Sequence, residues 1–213
     1  MIIKEIFAII IGYLLGSIPS AYIVARLATG KDIRQMGGGN VGSLNVHREV
    51  GAWPALAVGI VDLSKGTAAV AIAYWLLDVP TEFVLLTGLA AVIGHNWMVW
   101  LKFSGGKGMG VTIGALAVLL PVYGYWPGLP IIFGVILIPY VITHNIAISM
   151  GLALVCLPFI TWLGMNSGIG TIMAVILGLV IGVKFLPTAR SSWVKAEGKG
   201  DFIFDHWRRD RDR

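Results

Sequence analysis

Long apolar stretches separated by short polar or glycine-rich segments set the pattern of this chain. Seven such stretches stand out: Ile6–Leu27, Pro54–Leu77, Glu82–Trp100, Val111–Pro121, Leu129–Ile142, Ile146–Leu163 and Gly170–Leu186. A helix crosses the hydrocarbon layer with about 20 apolar residues, and shorter ones are tolerated when flanking side chains snorkel. The fourth and fifth stretches are short, and Pro121, Pro127 and Pro130 mark a turn between them. The pattern predicts an all-α, polytopic integral membrane bundle of about seven transmembrane helices. Residues 1–190 form its membrane domain. Residues 191–213 form a basic tail that lies in water beside the anionic leaflet. The first stretch is too long for a signal peptide and lacks a clear small-residue cleavage site, so it reads as a retained helix.

Charge gives the bundle a direction. Arg26, Lys31, Arg34 and Arg48 follow the first stretch, Lys102 and Lys107 follow the third, and eight more basic residues lie from Lys184 onward. The connections near 78–81, 122–128 and 164–169 carry no basic residue. Basic residues stay on the cytoplasmic side. An odd number of crossings with the N-terminus outside and the C-terminus cytoplasmic satisfies this alternation, leaving Lys4 as the one external basic residue.

Composition agrees, with 57% hydrophobic and only 13% charged residues, more apolar than a water-soluble surface allows. The net charge of +5 does not point to nucleic acid, because the cations flank helices instead of sharing a polar face. One cysteine, Cys156, sits in an apolar run and excludes an intramolecular disulfide. Four scattered histidines and that cysteine make no metal-ligand spacing, so neither metal nor cofactor is expected.

Two of the basic connections have the composition of anion sites. The first carries Lys31, Asp32, Arg34 and then Gly37, Gly38, Gly39, Asn40, Gly42, Ser43 and Asn45. Clustered glycines let successive N–H groups converge on one anion. The second places Lys107 among Gly105, Gly106 and Gly108 just before an apolar helix, where backbone amides and the helix dipole add to the ammonium charge. The Walker pattern is absent, because Gly108 stands where it needs Ser or Thr. Asp62 and Lys65 share one face of the second span at a spacing of three, and charges at that depth are functional candidates. None of His47, His95 and His144 begins a His-x4-Asp acyltransferase motif.

Taken together, Gly16-Ser17-Ile18-Pro19, Gly30-Lys31-Asp32-Ile33-Arg34, Gly39-Asn40-Val41-Gly42 with Asn45, Asp62-x-x-Lys65-Gly66, Gly94-His95-Asn96 and Phe103-Ser104-Gly105-Gly106-Lys107-Gly108 resemble the bacterial acyl-phosphate:glycerol-3-phosphate acyltransferases, the PlsY family. The resemblance covers about residues 10–115. It implies transfer of an acyl group from acyl phosphate to the 1-hydroxyl of glycerol 3-phosphate, giving lysophosphatidate and phosphate at the cytoplasmic face of a bacterial plasma membrane. It implies Lys107, Asn40, Ser43, Asn45 and His95 as catalytic residues. Lys31, Asp32, Arg34, the glycines of both loops, Asp62, Lys65, Ser149 and Arg190 are the implied substrate-binding residues. Its partners are those two substrates and the bilayer. The chain departs from the family in reading Gly37-Gly38-Gly39-Asn40 for Gly-Ser-Gly-Asn. It also carries Leu186-Pro187-Thr188-Ala189-Arg190 in place of a His-Arg-x-x-Asn-Ile segment. Two other readings rest on these features: an altered paralogue that binds phosphorylated lipid or regulates an active enzyme, and a small-solute transporter.

Overall fold

The computed structural model describes residues 2–195, with the side chains of 146, 147 and 188–195 left out. Of the expected tail 191–213, residues 191–195 continue a helix that ends at Lys195, and 196–213 lie outside the described residues, as does the Arg190 side chain. Among those described, every regular element is helical, and the one β-bridge joins Met98 to Ser104. Among the described residues, four helical segments are long and apolar enough to cross a membrane: Ile2–Thr29, Ala52–Leu76, Ile148–Met165 and Gly168–Pro187. The chain packs as two compact units, Met1–Tyr123 and Gly124–Arg213.

The first unit contains α1 (Ile2–Gly16), α2 (Ser20–Thr29), the short α3 (Ser43–Glu49), α4 (Ala52–Ala71, continued by a π-helical turn to Leu76), α5 (Thr81–Asn96) and α6 (Met109–Val122). Glycines bring helices into backbone contact. A Cβ at Gly16 would collide with the Ala91 backbone, and one at Gly12 with Thr87. A Cβ at Gly66 would strike Val111, and one at Gly114 would strike Leu63. Small residues that let backbones touch are the usual adhesive between helices in lipid, where apolar burial gives little drive. Gly12 meets Thr87 and Gly16 meets Ala91, so α1 runs alongside α5 in the same sense. Gly110 lies against Asp62 and the Thr67 hydroxyl donates to the Gly114 carbonyl, so α4 and α6 also run in the same sense. The short connection 77–80 makes α4 and α5 antiparallel. Residues 17–51 and 97–108 therefore share one end of the unit.

That end has its own small core: Ala21 and Ala25 of α2, Ile33 and Val41 of the first loop, Val46 of α3, Ala55 and Val58 of α4, and Met98 and Leu101 of the second loop. Around it, Leu27, Trp53, Trp100 and Phe103 remain largely exposed.

Two expectations need correction. The first stretch, expected as one helix over Ile6–Leu27, is α1 and α2 with a break at 17–19. Pro19 has no N–H to continue the ladder, and at the break the Ile18 carbonyl accepts from the Ser20 N–H at 3.0 Å. The third, expected to reach Trp100, ends at Asn96. Residues 98–104 instead form a tight turn with Lys102 and Phe103 in left-handed conformation.

The second unit holds α7 (Gly128–Thr143), α8 (Ile146–Met165) and α9 (Gly168–Lys195), each packed on the next. The Asn145 side chain accepts from the Ile148 N–H at 3.3 Å and so caps α8.

Candidate functional site

The first loop is shaped from within. Gly37 and Gly39 take positive φ values of 51° and 69°, a conformation that costs other residues energy. The Asn45 carboxamide, nearly buried, holds the curve. Its Nδ2 donates to the carbonyls of Met36 (3.1 Å), Asn40 (3.1 Å) and Ile33 (3.4 Å), and its Oδ1 accepts from the Gly38 N–H (3.3 Å). Upstream, Asp32 grips Arg34, with Nη2 to Oδ2 at 2.6 Å. The guanidinium lies over the Tyr22 ring and reaches the Leu101 carbonyl at 3.4 Å, linking the first loop to the second. The hydrogen-bonded Arg34 side chain holds the Asp32 carboxyl below the usual carboxylate range.

The second loop rests on the end of α5. Gly106 N–H donates to the His95 carbonyl at 3.0 Å. A Cβ on Gly105 would collide with the carbonyls of His95 and Asn96. One on Gly106 would collide with His95 Nε2 and the Val41 carbonyl, so the two loops touch. Gly108, left-handed at φ 77°, begins α6 directly over the Asn96 carboxamide. Lys107 is half-buried among these glycines. Its ammonium is pushed below the usual lysine range first by burial and then by the charge of Arg48. Two cations thus stand near one another beside two stretches of glycine backbone, an arrangement that favours phosphate.

Beneath lies a buried polar cluster. Asp62 Oδ1 accepts from Ser20 Oγ at 2.7 Å and pairs with Lys65 Nζ at 2.9 Å. Lys65 also donates to the Ile18 carbonyl at 2.9 Å, at the break before Pro19, where that carbonyl accepts from the Ser20 N–H as well. His95 Nδ1 lies 3.6 Å from Asp62 Oδ1.

A family model described as glycerol-3-phosphate acyltransferase matches residues 6–191. The chain belongs to the glycerol-3-phosphate acyltransferase family. It is 51% identical to glycerol-3-phosphate acyltransferase 1 of Dehalococcoides mccartyi over 202 residues, covering 95% of this chain and 97% of that one. It is 40% identical to a glycerol-3-phosphate acyltransferase of a Synechococcus strain over 75% of this chain and 76% of the relative. Among solved structures it is similar to PlsY (YgiH), an integral membrane glycerol 3-phosphate acyltransferase, in its glycerol 3-phosphate form. The TM-score is 0.80 at 27% identity, covering 89% of this chain and 92% of that one. The lysophosphatidic acid form of that protein gives a TM-score of 0.77. Family membership and the apolar helices together make this a multi-pass membrane protein.

Within this family member, the first unit gathers Lys107, Gly105, Gly106, Gly108, Arg34, Asp32 and the 37–42 glycines at one end. Asn40 packs against Gly42 inside the loop, and Ser43 opens α3. Lys31 is exposed, and its backbone N–H is the group that bonds, to Thr29 Oγ1. Asp62 and Lys65 are about 4% exposed and bond to protein groups, which makes them internal rather than open to a ligand. His95 is likewise buried, under Gly106. Ser149 is buried in the second unit and its hydroxyl donates back to the Asn145 carbonyl at 3.0 Å. Three residues of interest were not singled out from sequence. Arg48 follows Asn45 by three positions on α3, which was the available signal. Ser20 carried none, since it meets Asp62 across 42 positions. Asn96 stood in the Gly94-His95-Asn96 motif without a role, and it is fully buried with neither amide atom bonded among the described residues.

Proposed function

We propose that this protein transfers an acyl group from acyl phosphate to the 1-hydroxyl of glycerol 3-phosphate, releasing lysophosphatidate and inorganic phosphate. The observation that carries the reading is the meeting of two glycine loops at one end of the first unit, with Lys107 and Arg48 beside them. Both reactants carry phosphate, and each loop offers backbone amides to one. Lys107 neutralises the charge that develops on the departing phosphate, Arg48 and Arg34 supply further positive charge, and Asn40 with Ser43 orients phosphate or glycerol oxygens. Asn45 contributes through the shape it gives the loop.

An acyl phosphate is already an activated mixed anhydride, so catalysis reduces to positioning and charge stabilisation. The glycerol hydroxyl oxygen forms the new ester bond to the acyl carbon, the bond from that carbon to the phosphate oxygen breaks, and the hydroxyl proton passes to a substrate phosphate. In this arrangement about seven crossings put the N-terminus outside and the loop end in the cytoplasm. The alternation of basic residues between the apolar stretches supports it.

Purified protein in lipid should release phosphate from a long-chain acyl phosphate only when glycerol 3-phosphate is added, with lysophosphatidate identified by mass spectrometry. Lys107→Ala should reduce that rate by at least about 100-fold, the usual loss when a preorganised charge-stabilising group is removed. Wild-type turnover in the variant, or release that ignores glycerol 3-phosphate, overturns the assignment.

A further inference from the structure

The intramembrane charges and the buried histidine have no open face toward a ligand, yet they stack directly under the loop that carries Lys107. Three glycines of that loop rest on His95 and Asn96 at the end of α5. Gly105 lies on the carbonyls of His95 and Asn96, Gly106 on the His95 imidazole, and Gly108 on the Asn96 carboxamide. The platform is itself held from below. Asp62, on α4, stands 3.6 Å from His95 Nδ1 and is fixed by Ser20 on α2 and by Lys65. Lys65 in turn is anchored on the Ile18 carbonyl at the break between α1 and α2. A chain of short contacts therefore runs from the α1–α2 break through α4 to the α5 terminus and ends beneath Lys107.

We infer that His95 is a positioning residue, holding the 105–108 turn so that Lys107 meets the substrate phosphate, with Asp62, Lys65 and Ser20 fixing the imidazole. The inference rests on the acyltransferase reading for its kinetic consequence but not for its structural one. An imidazole spans the gap between a carboxylate and a glycine backbone with two ring nitrogens on opposite sides. Any smaller side chain leaves either the loop or Asp62 without its neighbour. Burying an ion pair of this kind is costly unless its geometry is well satisfied, and the bonds to Ser20 and Ile18 meet that requirement here. Asp62, held by Lys65 and Ser20, stands on the Nδ1 side of His95, and the Gly106 backbone stands on the Nε2 side.

The test compares His95→Ala, His95→Gln and Ser20→Ala by acyl phosphate kinetics and by amide hydrogen exchange of segment 104–110. His95→Ala should raise KM for the phosphate-bearing substrates about tenfold or more and speed exchange in that segment. His95→Gln, whose amide nitrogen can occupy the Nε2 position, should recover most of both, with the pH–rate profile of the wild type retained. Ser20→Ala should move both readouts in the same direction by about two- to fivefold. Unchanged exchange in His95→Ala overturns the inference. So does a His95→Gln variant as impaired as His95→Ala that has lost one limb of the pH profile, since that marks an acid–base group. If wild-type protein releases no phosphate, the acyltransferase reading fails, while the exchange measurements still decide the positioning role.

Discussion

The two glycine loops reach the same end of the first unit by opposite means. The 36–42 loop is held by neighbours in sequence: Asn45, five to twelve residues from its bonding partners, and the Asp32–Arg34 pair. The 105–108 loop is held from a distance. Its floor is α5, and the floor's support comes from Asp62, Ser20 and Lys65, between 30 and 75 positions away in the chain. A locally held loop keeps its shape if packing loosens, because its bonds are short-range. A loop that sits on a packed platform is only as fixed as the helices that form it.

Breaking the second loop should have the larger effect. Gly106→Ala pushes a methyl group into His95 and the Val41 carbonyl. Overpacking of this kind costs about 1–3 kcal/mol, and a displacement near 1 Å at Lys107 lowers the rate by on the order of 100-fold. Phosphate-release kinetics with a melting curve would check this, and a variant with wild-type rate would argue that the loop is slack.

Asn45→Ala strikes the first loop. It strips three carbonyls and one N–H of their side-chain partner, and each buried orphan costs about 1–3 kcal/mol where water cannot replace the bond. A lower melting temperature together with raised KM is expected. A change in stability without any kinetic change would separate loop shape from substrate binding.

The loops also differ in their response to pH. Lys107 has a lowered pKa, so its charge disappears as pH rises through that value, before the ordinary lysine range is reached. Activity should fall on the alkaline side earlier than for an unperturbed lysine, and Lys107→Arg should move that limb to higher pH where it retains activity.

Smallest is Asp32→Asn. The Asp32 carboxyl is held below its usual pKa, so its contribution to stability is present above the unfolded value and is lost as pH falls through the folded one. The pair is partly solvated, which limits the contribution to below about 1 kcal/mol. Melting curves at neutral and acidic pH should converge for variant and wild type at the acid end.

Much of this was legible in the chain, for particular reasons. Apolar runs mark helices because lipid demands them, and the glycine clusters mark both loops. Asp62 and Lys65 are three apart on a helix, a spacing that brings them to 2.9 Å. Gly12-x-x-x-Gly16 and Gly110-x-x-x-Gly114 carried a close-approach signal that hydropathy alone passes over. The break at Pro19 was also written in the residues, but Ile18, Tyr22 and Ile23 continue the apolar run across it. What could not be read was contact across long separations: Gly106 against Val41, Ser20 on Asp62, and His95 as the floor of a loop. Those depend on how α4, α5 and α6 pack, and spacing along one helix carries no information about that.

The exposed Leu27, Trp53, Trp100 and Phe103 around the loop end carry one more implication. Indole rings settle at the boundary between headgroups and hydrocarbon, so on the proposed arrangement Trp53 and Trp100 set the depth at which Lys107 rides. A phosphorylated amphiphile floats at that same level, tail among tails and anionic head in the water layer. Such a reactant can drift in from the side, within the plane of the leaflet, without its chain ever leaving oil.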